Sequence, residues 1–251
     1  AYVERMVILP EGIDPNRITT GIVVEPDGTV RHVPTKIVLK DGRYYATINS
    51  LTNSTYSVVW HPLEFDDVAN HWAKAAVNDM GSRMVIDGTG EGQFSPDRAI
   101  TRAEFAAILV RGLGLKLQAG PTAFSDVKTT DWYNSAINTA YAYELINGYN
   151  DGTFRPNDKI TREEVMAILS RAMSITGLEV NAAASSIELT LQPYQDASKV
   201  SSWARSSVAL NVQAGLVSGR STSMLAPTAS ITRAEAATLI RRLLQASDLI
   251  N

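Results

Sequence analysis

Short runs of apolar and β-branched residues, broken by turn signals, fill the first quarter of the chain. Ile22-Val23-Val24 leads into Glu25-Pro26-Asp27-Gly28 and then Thr29-Val30-Arg31-His32-Val33. Ile37-Val38-Leu39, the turn Lys40-Asp41-Gly42 and Tyr44-Tyr45-Ala46-Thr47-Ile48 follow, and Tyr56-Ser57-Val58-Val59-Trp60 closes the region. Asp-Gly between such runs predicts hairpins, because glycine takes positive φ without steric cost. Four or five strands are expected in residues 1–64, a small β-rich, sandwich-like region. From Phe65 onward the pattern changes: apolar residues recur at helical spacing, and long polar loops hold Gly and Pro.

That second pattern repeats. Trp72, Trp132 and Trp203 are each followed 30 residues later by an arginine, Arg102, Arg162 and Arg233. Each arginine lies within an Ile-Thr-Arg-x-Glu pentapeptide, six residues after a proline (Pro96, Pro156, Pro227) and fourteen after a glycine (Gly88, Gly148, Gly219). An aspartate, Asp67, Asp126 or Asp196, precedes each tryptophan by five to seven residues. Nine residues after each arginine comes a second one: Arg111, Arg171 and Arg242. Chance does not produce this register three times, and internal repetition on this scale governs the reading of everything else.

Each unit predicts a first helix near its tryptophan, a glycine at or just past that helix's end where positive φ is often needed, a loop of about a dozen residues, and a second helix opened by Thr-Arg-x-Glu. Thr101 and Glu104, Thr161 and Glu164, and Thr232 and Glu235 have the spacing of capping boxes. Core positions follow along each second helix: Phe105, Ile108, Leu109; Val165, Ile168, Leu169; Ala236, Leu239, Ile240. A unit of this size buries its apolar face poorly alone, so the three should share a core, either as a pseudo-threefold bundle or as a short open stack. The expected fold class is therefore mainly α: three tandem helix-loop-helix repeats in a pseudo-threefold helical module, preceded by the β-rich region. The expected boundaries are 1–64 for that region, then 65–121, 122–183 and 184–251 for the repeats. Extra length in residues 177–193 suggests a short element of its own there.

Composition narrows the function. The 251 residues carry 45% apolar and 20% charged side chains, the make-up of a folded chain. No run reaches the length of a bilayer-spanning helix. A net charge of −3 without a basic stripe argues against a nucleic-acid partner. Cysteine is absent, which removes thiol nucleophiles, cysteine-based metal centres and disulfides. The opening Ala1-Tyr2-Val3 looks like the middle of a strand-rich module, so a longer protein upstream is expected.

Phe65-Asp66-Asp67-Val68 with His71-Trp72-Ala73, the loop Asn147-Gly148-Tyr149-Asn150-Asp151-Gly152-Thr153-Phe154-Arg155-Pro156, and the Ile-Thr-Arg-Ala-Glu pentapeptides resemble the motifs of the S-layer homology domain family. The resemblance runs from Phe65 to the C-terminus in three copies. It implies a three-lobed module with grooves between repeats, and extracellular, non-covalent attachment of an exported protein, such as an S-layer protein, to the bacterial cell wall. The implied partner is the anionic secondary cell wall polysaccharide, bound through pyruvylated N-acetylmannosamine residues; from the residues themselves no cofactor and no metal is expected. Repeat 3 departs from the pattern, with Tyr194-Gln195-Asp196-Ala197 and a loop lacking Asp-Gly-Thr-Phe, and repeat 1 keeps a loosened loop, Gly88-Thr89-Gly90-Glu91-Gly92-Gln93-Phe94.

A pyruvyl ketal presents a carboxylate on a rigid ring. A helix N-terminus with free N–H groups suits an anion, and an arginine in the first turn can meet a carboxylate with two parallel hydrogen bonds. Arg102, Arg162 and Arg233 are candidate ligand residues on that ground, with an ion pair between lobes as the alternative. Trp72, Trp132 and Trp203 serve either as sugar contacts or as core. Gly88, Gly148 and Gly219 allow close backbone approach. Asp67, Asp126 and Asp196 either bind sugar hydroxyls or cap a helix. The second arginines, Arg111, Arg171 and Arg242, are expected to be solvated or paired within the structure. Residues 147–158 only faintly resemble a calcium loop, because Tyr149 and Phe154 do not fit and no glutamate stands at the twelfth position. No catalytic constellation emerges, so the chain is read as a binding module and not an enzyme. A module that binds peptides, or assembles a lattice through upstream regions, is the competing reading.

Overall fold

The computed structural model of the chain describes residues 2–180 and 184–251. Ala1 and the expected boundary at residue 183 fall outside these residues. Six strands occupy the first region: β1 Val3–Ile8, β2 Thr20–Val24, β3 Val30–Val33, β4 Thr35–Lys40, β5 Arg43–Ser50 and β6 Thr55–Val59. They form two three-stranded antiparallel sheets, ordered β1-β5-β4 and β3-β2-β6. The β4–β5 hairpin turns at Asp41 and Gly42, both with positive φ, in keeping with the Asp-Gly signal. Leu9, Val23, Val33, Ala46 and Ile48 form a small core of their own here.

Seven helices follow among the described residues: α1 Lys74–Ser82, α2 Arg102–Gly112, α3 Asn134–Ala142, α4 Arg162–Thr176, α5 Ala184–Leu191, α6 Arg205–Gln213 and α7 Arg233–Ala246. The extra element expected in the long connector is α5.

The chain is nevertheless not mainly α, and the expected fold class is corrected. Helix accounts for 33% and strand for 18%, with two antiparallel sheets beside the helices. Two physical reasons explain the difference. The β region contributes six strands, and residues 83–101, 143–161 and 214–232, which join the paired helices, are non-helical. Those connections also do more than connect. Ile100 donates its N–H to the Ile231 carbonyl at 3.0 Å, Ile231 to Ile160 at 3.2 Å, and Ile160 to Ile100 at 3.2 Å, a closed ring of three backbone hydrogen bonds. Short β-bridges, Ala99 to Thr232, Thr101 to Lys159 and Thr161 to Ser230, extend the ring. All three isoleucines are buried.

The helices pack in the same cyclic order: α2 on α3, α4 on α6, and α7 back on α1. One continuous core runs from Phe65 to Ile250 through all three repeats. The β region docks on this body. Tyr2 donates its hydroxyl to the Leu113 carbonyl at 2.5 Å, Arg83 donates to the Thr35 carbonyl at 3.1 Å, and Asn251 exchanges two hydrogen bonds with the backbone of Ile37.

Candidate functional site

Each second helix opens on a complete capping box: the Thr hydroxyl of Thr101, Thr161 or Thr232 accepts from the backbone of Glu104, Glu164 or Glu235, whose carboxylate accepts from the Thr N–H. The next two N–H groups of the first turn go to the neighbouring repeat. Those of Arg102 and Ala103 bond the carbonyls of Asp158 and Pro156, those of Arg162 and Glu163 bond Ala229 and Pro227, and those of Arg233 and Ala234 bond Arg98 and Pro96. The helix starts are therefore already satisfied, and the expectation that their free N–H groups receive an anion does not hold here.

The arginine side chains cross the same seams. Arg102 donates from Nε to the Phe154 carbonyl at 2.9 Å and from Nη1 to Glu164 at 2.7 Å. Arg162 donates from Nε to Leu225 at 2.7 Å, from Nη1 to Glu235 at 2.9 Å and from Nη2 to the Ser218 carbonyl at 3.1 Å. Arg233 closes the circle, bonding the carbonyls of Phe94 at 2.8 Å and Asp87 at 2.7 Å, and lies 3.6 Å from the Glu104 carboxylate. All three arginines are only 6–7% exposed. Burial pulls the Arg162 and Arg233 guanidinium groups below their ordinary range, and Glu235 and Glu104 respectively oppose that pull. Ion pairing between lobes and a place in a cleft thus coexist in one residue.

Above these seams lie three clefts of common plan. The first is lined by Arg233, Gly88, Glu104, Arg111 and Trp132. The second is lined by Arg102, Gly148, Glu164, Arg171 and Trp203, and the third by Arg162, Gly219, Glu235, Arg242 and Trp72. One repeat supplies the wall, the preceding one the buried arginine and the remaining one the tryptophan. The clefts measure about 170 Å³, 220 Å³ and 410 Å³ respectively. Trp72, Trp132 and Trp203 are 65%, 66% and 59% exposed, so they stand at the rims and not in the core.

The glycines sit beneath. A Cβ on Gly148 meets the Thr153 carbonyl at 2.7 Å and the Phe124 ring at 2.4 Å, and one on Gly219 meets two carbonyls within 2.5 Å. These positions need the absence of a side chain and not positive φ. Positive φ occurs four residues earlier, at Met84, Glu144 and Gly215, just past the first helices.

The aspartates lie away from the clefts. Asp67 accepts from the N–H groups of Phe94 and Ser95 at 2.8 and 2.6 Å, Asp126 from Phe154 and Arg155 at 2.8 and 2.7 Å, and Asp196 from Leu225 and Ala226, both at 2.8 Å. Ser95, Arg155 and Ala226 all have positive φ, a conformation that costs a non-glycine residue and that this clamp holds in place.

Arg111, Arg171 and Arg242 are paired within the structure, as expected, and they also line the clefts, which the sequence reading did not foresee. The signal was available: nine residues at about 100° each turn a helix roughly halfway round. The first arginine of each second helix therefore serves one cleft and the second arginine serves the cleft on the opposite flank. Tyr149, whose ring lies 4.9 Å from the Arg102 guanidinium, and Arg220, paired to Glu235 at 3.0 Å, also line clefts. Among the described residues no three His, Asp or Glu side chains converge as a metal site, and no helix is long and apolar enough to cross a membrane.

The profile of the S-layer homology domain matches residues 64–106, 123–166 and 193–237. The chain is 38% identical to the amylopullulanase of Thermoanaerobacterium thermosulfurigenes over 204 residues, which is 80% of this chain and 10% of that enzyme. It is 37% identical to the exoglucanase XynX of Acetivibrio thermocellus over 79% of this chain and 18% of that protein. It is 32% identical to the surface-layer 125 kDa protein of Lysinibacillus sphaericus over 74% of this chain and 15% of the relative. The chain thus spans less than a fifth of these proteins, and the enzymes among them carry large further regions.

Proposed function

The chain belongs to the S-layer homology domain family, whose place is the bacterial cell-wall surface, and from that premise we propose that its clefts hold the wall's secondary polysaccharide through an acidic, pyruvylated N-acetylmannosamine unit. One observation carries the reading: every cleft joins at least two guanidinium groups to a largely exposed rim tryptophan. A carboxylate on a sugar ring matches that pair, with its charged end toward arginine and its apolar face toward indole. Gly88, Gly148 and Gly219 let the loop beneath each cleft pack closely on itself, and Asp67, Asp126 and Asp196 hold that loop by clamping it. The module anchors and does not catalyse, and any enzymatic activity belongs to regions beyond it. Several clefts on one body raise retention on a repeating polymer by avidity.

The test is co-sedimentation with purified cell-wall sacculi, before and after mild-acid removal of the pyruvyl groups. Retention should fall sharply on stripped wall. It should also fall, by roughly 10-fold per cleft, when Trp72, Trp132 and Trp203 are replaced by alanine, an exposed change that leaves the fold intact. Equal retention on native and stripped wall overturns the acidic-sugar reading.

A further inference from the structure

The three clefts share a plan but differ at one decisive position. The residue before the loop glycine is Asp87 in the first cleft, Asn147 in the second and Ser218 in the third. In the first cleft the Asp87 carboxylate is ion-paired with Nη1 of Arg111. The equivalent Arg171 donates to the Leu145 carbonyl at 3.1 Å and Arg242 to the Leu216 carbonyl at 3.2 Å, and among the described residues neither has a carboxylate partner. A carbonyl accepts a hydrogen bond but leaves the positive charge uncompensated. Arg171 and Arg242 therefore still offer a full charge to an incoming anion, whereas the matching place in the first cleft is already taken by an anion of the protein's own. The other two guanidinium groups of the first cleft, Arg98 and Arg233, both face Glu104, Arg98 as an ion pair and Arg233 at 3.6 Å. The first cleft is also the smallest of the three.

We propose that Asp87 is a built-in carboxylate that closes the first cleft to acidic sugars, so that the module has two open clefts and not three. This rests on the reading of the clefts as sites for a pyruvylated sugar. An entering carboxylate must displace Asp87 from Arg111 and then remain near its charge, a like-charge juxtaposition that acts against the ligand. The expected penalty at that cleft is about 10-fold or more in affinity.

Calorimetric titration of the whole chain with a pyruvyl ketal of methyl N-acetylmannosaminide tests this. The native chain should bind two equivalents. Asp87→Asn, at an exposed side chain whose backbone contact to Arg233 is unaffected, should bind three. The converse change, Asn147→Asp, should leave one. Three comparable sites in the native chain, or an unchanged stoichiometry in Asp87→Asn, overturns the role of Asp87 while leaving the glycan reading standing. No saturable binding by any of the three proteins overturns the glycan reading and this inference with it.

Discussion

A single aspartate per repeat illustrates how a conspicuous polar residue can serve a site without lining it. Asp196 is buried, and both its oxygens are spent on the N–H groups of Leu225 and Ala226, the second of which has a φ of 52°. Replacing it with alanine strands one buried and one half-buried donor, at a cost of about 1–3 kcal/mol each. Asp196→Ala should therefore lower the urea unfolding free energy by about 3 kcal/mol, and a loss below about 1 kcal/mol contradicts the clamp. Sequence alone left Asp67, Asp126 and Asp196 between sugar contact and helix cap, and the structure places them on a backbone target about 28 residues downstream. No local pattern announces such a partner, because its residue type is irrelevant: only a backbone N–H is required. Met84 and Glu144 are a parallel case, since a non-glycine residue with positive φ carries no compositional mark.

The second helices show which features are legible in sequence and why. Thr161 and Glu164 meet within one helical turn, so their spacing suffices to predict the capping box. Glu164 has a second role that spacing hides, because its other oxygen accepts from Arg102, 62 residues away in the preceding repeat. The two roles are separable. Thr161→Ala removes one cap, at about 1 kcal/mol. Glu164→Ala removes its half of the box and also leaves the buried Arg102 without its carboxylate, so a loss of about 3–5 kcal/mol is expected. Comparison of the two variants by thermal or chemical denaturation checks this, and equal losses contradict the interlobe pair. The six strands were partly legible through their Asp-Gly turns, but the seams between repeats, made of bridges one or two residues long, are too short to leave a pattern.

At the scale of the whole molecule, the join between the sheets and the helical body should weaken in acid. His32 lies on β3 beside α2, buried, with Nδ1 at 2.8 Å from Thr20 Oγ1. Burial, reinforced by the Arg83 charge, pushes its imidazole down to about 3. The unfolded chain binds a proton near pH 6.5 that the folded chain refuses, so the stabilisation is complete above that pH and is lost as pH falls from 6.5 toward 3. Between pH 7 and pH 5, where carboxylates contribute little, the loss should be about 2 kcal/mol. Urea titrations at the two pH values measure it, and His32→Gln should abolish the difference. The ring of Ile100, Ile160 and Ile231 has a different kind of consequence. Every cleft takes side chains from all three repeats, and α7, in the third repeat, is the last of their helices to be made. A chain emerging from its N-terminal end therefore carries no completed cleft until the third repeat has followed the first two, and then acquires all of them in a single closing step.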